Sequence, residues 1–600
     1  MKEKSMTLIR RATTLMALVA FLLCSVVVRA QVLDQVPEQA IIVVKVNNLQ
    51  SVSTKFGKFA TDLQLVAQVP PLADPLGALT EKLKITNGLN KDGDGAFALL
   101  DPAVAGGDND NSFLILWPVT DYKAFLANFG EAKEENGISE MTIVDSPKPA
   151  YFANWGKYAV MTPSKEIAAM KPTGVKVAGA AAKEMTSKDV VLLANMAMVK
   201  SKLQPMLAQG KEQALDAVKN GMNGDMEKYG PLAQVVVTQF IGIAEALLRD
   251  AQAATYGISF GDNGISSTAM VEFDPASYCG TLASSVKNSD ASMLEGIPSG
   301  KYLFFGGSVN DPKAMGKAID DLVTPITTEL AKAGGTDTEA ITKYIASMRK
   351  YVMATQSTAG GLLAPSGAIG QEPIIQMVSV QTGDAATMKS AYQDMLTSQQ
   401  DLMKSFNPQA ANTMKTTITP NAKTLDTVSF DLVHTEFTLG QGPAAAQADN
   451  AMKMIYGPDG MNVLTGTTAD KLVIGFGAND QTISDTLTVI KAKDDPMAKL
   501  PGVVAVATNL PKSRAMTLYI PLDQIVTTAG NYASAMGMPI QVQLPGDLPP
   551  IGVTFSTDGS AMRLDSYTPT DLIKALVAQG MQMYMQHMGG GGGPGGPGGL

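Results

Sequence analysis

The run Asn90-Lys91-Asp92-Gly93-Asp94-Gly95, with Asp101 at the twelfth position, has the acid spacing of a calcium loop. Such a loop supplies oxygen ligands at its first, third, fifth and twelfth positions and a glycine at the sixth, where the backbone turns sharply. Asn90, Asp92, Asp94 and Asp101 are therefore the candidate metal ligands, and calcium is the one cofactor they suggest. Two features favour a plain Asp/Gly turn with no cofactor. The last ligand is Asp where the motif has a bidentate Glu, and Phe97–Leu100 reads as a strand where an EF-hand would start a helix.

Other reactive patterns lack their partners. Gly257-Ile258-Ser259-Phe260-Gly261 spells a nucleophile elbow, which needs a strand-to-helix turn and a histidine base. Ser259 falls in a hairpin strand instead, and the chain's two histidines are His434 and His587. Ser347 and Lys350 fit S-x-x-K inside an amphipathic helix. Gly475-Phe476-Gly477 and Gly440-Gln441-Gly442 are fragments of dinucleotide loops, and no P-loop pattern occurs. Met581, Met583, Met585, His587 and Met588 offer ligands suited to Cu(I), but Met581, Met585 and Met588 share one helical face, as core fillers would. Trp117 and Trp155 are the only tryptophans, a sparse set for sugar stacking.

Composition narrows the classes further. Two histidines and two cysteines in 600 residues exclude a disulfide scaffold, a zinc finger and haem attachment. Hydrophobic residues at 45% and charged residues at 17% can build large cores and exclude a disordered chain or coiled coil. A net charge of −9 without any Lys/Arg cluster argues against nucleic acid as a partner.

Residues 1–30 read as a signal peptide. Lys2, Lys4, Arg10 and Arg11 form the basic segment, Leu15–Val28 the apolar one, and Val28 with Ala30 sets a cleavage site before Gln31. The expected protein is exported, periplasmic or extracellular, with no transmembrane span after cleavage. Cleavage removes Cys24 and leaves Cys279 as a lone thiol, read as a small buried hydrophobe.

The elements that must position these residues are duplicated. Val36-Pro37-Glu38 leads into the β-rich Ile41–Val46, as Ile297-Pro298-Ser299 leads into Tyr302–Phe305. Leu99-Leu100-Asp101-Pro102 and Leu362-Leu363-Ala364-Pro365 precede strands at Phe113–Val119 and Ile374–Val380. The helices after these strands repeat Tyr122, Phe125, Leu126 and Phe129 as Met388, Ala391, Tyr392 and Met395. Val190–Asn195 matches Val503–Asn509, and each copy ends in a hairpin, 257–264 and 552–559. Asn263-Gly264 and Asp558-Gly559 mark two-residue turns needing positive φ. The expected fold class is α+β, with two tandem homologous domains, each an antiparallel-rich sheet with helices packed on one face. Domain 1 spans 31–285 and domain 2 spans 286–588, joined near 286–296. Residues 201–254 are read as packed core helix, and the Gly/Pro tail 589–600 as disordered.

The segments Phe113–Phe125, with Pro118-Val119-Thr120-Asp121-Tyr122, and Ala150–Ser164 resemble a family of uncharacterised exported proteins from planctomycete-type bacteria. The resemblance implies export and an α+β fold and carries no activity or catalytic residue. The functional expectation is a non-enzymatic binding or structural protein of the cell envelope, whose partner is an unknown envelope protein, lipid or glycan. The alternative is a carboxylate-dependent hydrolase acting on envelope or extracellular polymer, since paired carboxylates can come from distant segments.

Overall fold

The computed structural model describes residues 32–143, 148–221, 230–333, 338–365, 372–406, 414–438, 443–535, 537–538 and 543–589. The expected signal peptide and residues 590–600 of the tail lie outside them. Contacts divide the chain into two units, one of residues 1–58, 70–199 and 253–258, the other of 59–69, 200–252 and 259–600. The join expected at 286–296 thus falls inside the second unit.

In the first unit β1 (Ala40–Val46) lies between β2 (Gly95–Leu100) and β8 (Val190–Asn195). Beyond β2 the ladder continues through β3 (Phe113–Pro118), β7 (Tyr158–Thr162), β6 (Pro149–Trp155) and β5 (Ile138–Thr142) to the short β4 (Lys133–Glu135). Beyond β8 it continues to β9 (Ala251–Phe260), paired through residues 253–258. The order is 9-8-1-2-3-7-6-5-4, antiparallel at every step.

In the second unit β11 (Tyr302–Val309) lies between β12 (Thr355–Leu363) and β18 (Met516–Ile520). One side continues through β13 (Met377–Gly383), β17 (Lys471–Phe476), β16 (Met461–Thr467) and β15 (Val428–Phe437) to β14 (Met414–Leu425). The other continues to β19 (Ile551–Asp558) and β20 (Ala561–Pro569). From β19 to β14 the order repeats that of the first unit with ten added to each strand number, so the fold is α+β and the duplication is visible strand by strand. It extends to a defect. The β1–β2 register shifts between Ala40 and Ile42, and the β11–β12 register between Tyr302 and Phe304, so each first strand carries an irregularity at its start. Within the second unit β20 also pairs with β10 (Gly264–Phe273), and Ala269 and Leu564, each five residues after a turn glycine, stand directly opposite.

Helices occupy both sheet faces, in the same way in each copy. α1 (Leu49–Asp62) and α2 (Pro75–Lys82) connect β1 to β2, and in the first unit α3 (Tyr122–Leu126) follows β3. Phe125 of α3 packs on Trp117, Phe152 and Ala159. Strand alternation puts Leu114, Leu116 and Val160 on the opposite face, under α4 (Lys165–Ala168) and α5 (Gly179–Ser187). The single helical layer expected from the sequence is thus supplemented by a second one, because β3 and β7 are apolar on both faces.

Between β8 and β9 run α6 (Met196–Gly221) and α7 (Gly230–Asp250), and α8 (Tyr278–Ser285) follows β10. In the second unit α9 (Pro312–Ala333) and α10 (Thr338–Ala354) connect β11 to β12, and α11 (Ala385–Phe406) follows β13. Met388 of α11 packs on Val433, Val463 and Ile474. α12 (Pro443–Tyr456) precedes β16. On the opposite face α13 (Asp480–Ala492) sets Ile483 and Leu487 on Phe430 and Val473, and α14 (Pro501–Ala507) sets Val503 and Val506 on Phe305 and Tyr519. α15 (Leu522–Ala535) and α16 (Thr570–Gly589) complete the sixteen helices among the described residues.

Three sequence expectations need correction. Val503–Asn509 does not match β8, whose counterpart is β18. Pro501 occupies the first helical turn, and Val503 and Val506 are buried at helical spacing. The described helices within 201–254 are not wholly buried core, since Ile243 and Leu247 are exposed. Neither Asn263 nor Gly264 adopts positive φ, and the Gly261 N–H donates to the Gly264 carbonyl, so the central residues of that turn are Asp262 and Asn263, one position earlier than expected, while Gly559 does adopt positive φ (60°).

Candidate functional site

The four candidate calcium ligands do not converge. Asn90 and Gly93 close a tight turn, the Gly93 N–H donating to the Asn90 carbonyl at 3.1 Å. Asp94 gives one carboxylate oxygen to the Lys45 ammonium at 2.9 Å and accepts the Asn48 N–H at 3.0 Å on the other. Asp92 is exposed. Asp101 accepts the Ala103 N–H at 3.1 Å, at the far end of β2. Six strand residues separate Asp94 from Asp101, roughly 20 Å at about 3.3 Å each. The loop cannot wrap an ion because its second half is a core strand. Among the described residues no group of three or more His, Cys, Asp or Glu is placed to hold a metal ion. Adding a calcium chelator should leave the melting temperature unchanged in a calorimeter, and a drop would restore the calcium reading.

What the sequence reading missed here is Lys45. It points inward from β1, is 1% exposed, and donates to the Met185 carbonyl at 3.0 Å as well as to Asp94. Asn47 reaches the Met185 and Lys188 carbonyls, so the end of α5 is held to the end of β1 by two side chains. A lysine in register with buried Val43, followed by an acid just before the neighbouring strand, was the signal available.

The other reactive residues are engaged structurally. Ser259 sits within β9, away from any strand-to-helix elbow, and His434 Nδ1 lies 2.8 Å from Asn462 Oδ1. The Ser347 hydroxyl donates to the Lys343 carbonyl of its own helix, while Lys350 reaches Ser390 at 3.4 Å. Gly475 and Gly477 do join a strand to a helix, β17 to α13, and the Gly477 N–H donates to the Asn462 carbonyl. Gly440 to Gly442 lie outside the described residues. Met581 Sδ accepts from Gln68 Nε2 at 2.9 Å. The side chains of Met585, His587 and Met588 lie outside the description.

Cys279 is buried, and burial, followed by its contact with Asp250, pushes the thiol up to about 11. Burial also works against the Asp250 charge, but Arg249 Nε at 2.8 Å and the Cys279 N–H at 3.1 Å hold that carboxyl below its ordinary range. The thiol is therefore protonated at neutral pH and is a poor nucleophile. At pH 8 Cys279 should resist a soluble disulfide reagent in the native chain and react fully in denaturant. Rapid native labelling would contradict its burial.

Each unit carries an open cleft. That of the first unit, about 880 Å³, lies between the turn residues Asn136 and Gly156, Trp155, and the α4 segment with Lys165, Glu166 and Lys171. Lys165 pairs with Glu135 at 2.6 Å, and Glu166 accepts from the Ser164 hydroxyl at 2.7 Å, which lowers its pKa. Among the described residues Glu166 is the one carboxylate lining this cleft, and Trp155 is too buried to present a face for sugar stacking. A cleft of about 480 Å³ in the second unit is lined by Lys423, Tyr456, Asp459, Asn462 and Asp480, with Lys423 and Asp480 ion-paired.

No family model matches the chain, and no curated protein does. Among solved structures, crystal forms I, III and IV of TP0453 align at 9–10% identity over 48–50% of this chain and 98–99% of theirs, with TM-scores of 0.19–0.20. A likeness that low carries no argument. No helix among the described residues is long and apolar enough to cross a membrane.

Proposed function

We propose that this chain is an exported protein of the cell envelope that binds or scaffolds a partner and catalyses no reaction. The observation carrying the non-catalytic reading is where the reactive side chains are spent. Asp94 is held by Lys45, His434 by Asn462 and Glu166 by Ser164, and Cys279 is a protonated, buried thiol. The basic and apolar segments of residues 1–30 support export, and the acidic balance disfavours nucleic acid. A hydrolase needs two carboxylates flanking its substrate; the larger cleft offers Glu166 alone, and of the two that line the second unit's cleft, Asp459 and Asp480, the latter is held by Lys423.

The test is to sequence the N-terminus of the protein recovered from fractionated native cells. A chain beginning at Gln31 in the envelope or medium is expected, and an intact Met1 in the cytosol would refute export. Incubation with envelope polysaccharide should release no new reducing ends. Release that Glu166→Gln abolishes would reinstate the hydrolase.

A further inference from the structure

Methionine is the abundant oxidisable side chain of this protein, 34 residues against two cysteines. Cys24 falls in the expected signal peptide, and the Cys279 thiol is buried and protonated, a poor partner for oxidants. The described methionines include two contrasting sets. Met185, Met388 and Met497 lie in hydrophobic cores at 0–1% exposure, where a flexible side chain serves as filler. Filling does not account for the other set. Met206 is 64% exposed and Met538 62%, while Met315, Met353, Met516 and Met583 are 37–42% exposed. Among the exposed large apolar side chains of the described residues, only leucine is more frequent. All six belong to the second unit, on α6, α9, α10, β18 and α16 and just after α15.

Thioether chemistry treats the two sets differently. The sulfur lone pair takes one oxygen from a peroxide: the O–O bond breaks, the S–O bond of the sulfoxide forms, sulfur loses two electrons and the peroxide leaves as water. At an exposed methionine the new dipole is hydrated and no packing is lost. In a core it would be buried without a partner and would disrupt its neighbours. Each exposed methionine reacts alone, so a set dispersed over six elements serves as well as a gathered one. We propose that Met206, Met315, Met353, Met516, Met538 and Met583 are sacrificial oxidation sites, which consume peroxide as sulfoxides at no cost to the fold. The proposal is independent of the envelope-binding reading.

The test treats the chain from Gln31, which lacks no described residue, with hydrogen peroxide at six equivalents, one per exposed methionine, and maps sulfoxide by peptide mass spectrometry. Met206 and Met538 should be modified at least about tenfold more than Met185, Met388 and Met497, at an unchanged melting temperature. Protection is read with a tracer peptide carrying one methionine, mixed one to one with the protein and given a single equivalent of peroxide. Beside the native chain the tracer should be oxidised about fivefold less than beside a variant with all six methionines changed to leucine, because it then shares the oxidant with six other thioethers. Leucine keeps the volume and removes the sulfur. The double variant Met206→Leu with Met538→Leu should lose about a third of the protection and guards against a folding defect in the sixfold one. Sulfoxide spread evenly over both sets, a melting temperature that falls as the exposed set is oxidised, or equal oxidation of the tracer beside native chain and variants overturns the proposal.

Discussion

Phe125→Ala should destabilise the first unit by about 4 kcal/mol, the range for truncating a fully buried phenylalanine. The ring has no exposed surface and lies 6.2 Å from Trp117 and 5.5 Å from Phe129, which in turn lies 5.0 Å from Phe152. It is thus an inner member of a four-ring aromatic series running from β3 through α3 to β6. The helix is also seated close to the main chain. A Cβ added at Gly88, where φ is +79°, would come within 2.2 Å of the Phe125 nitrogen, leaving little freedom for α3 to settle into the cavity. Trp117 and Trp155 are the chain's only tryptophans and both lie in the first unit, so tryptophan emission during urea unfolding reports that unit alone. The midpoint should fall sharply, since about 4 kcal/mol is a large share of a domain's usual 5–15 kcal/mol. A loss below about 1 kcal/mol would mean that α3 does not seal that face.

Much of the strand framework was legible because its signals are local. β1 and β3 follow the β-branched and apolar runs at Ile41–Val46 and Phe113–Val119 to within about a residue. The paired motifs placed the copies in the right order, and the matching register shifts at Ala40 and Tyr302 follow from it. Val503–Asn509 was misassigned for a physical reason. A short run of valine and alanine has no periodicity that separates a strand from a buried helix, and the deciding residue, Pro501, lies just outside the run. The strand starting at Ile374 was read three residues early, since β13 begins at Met377. The join between units was illegible because it depends on β10 pairing with β20, some 300 residues away, and no local pattern encodes such a contact.

The candidate site was legible as composition and illegible as geometry. Asn90, Asp92, Asp94 and Asp101 do have the spacing of an oxygen cage, but spacing assumes a loop that stays a loop for twelve residues. Ala96, Ala98 and Leu100 point into the core and pull the second half straight, which separates Asp94 from Asp101. The acid at 94 then answers a buried cation from another strand. At the equivalent position the second copy has no side chain at all. Register places Gly307 where the first copy has Lys45, and a Cβ there would meet the Met293 carbonyl at 2.0 Å. Main chain fills the space that the lysine occupies in the first copy.

That buried cation makes the two ends of one ion pair unequal. Asp94→Ala should cost about 3 kcal/mol, because it leaves the Lys45 ammonium, 1% exposed, with only the Met185 carbonyl to offset its desolvation. Lys45→Met should cost about 1 kcal/mol or less, since methionine keeps most of the volume and the abandoned Asp94 carboxylate, 30% exposed, can be hydrated. The double variant should therefore recover most of what Asp94→Ala loses, as removing the charge also removes its need for a partner. Urea midpoints from tryptophan emission close this cycle within the first unit. Equal losses from both single variants, with the double variant summing them, would show that Lys45 is not buried as a charge, and the tie between β1 and the end of α5 would then have to rest on Asn47 alone.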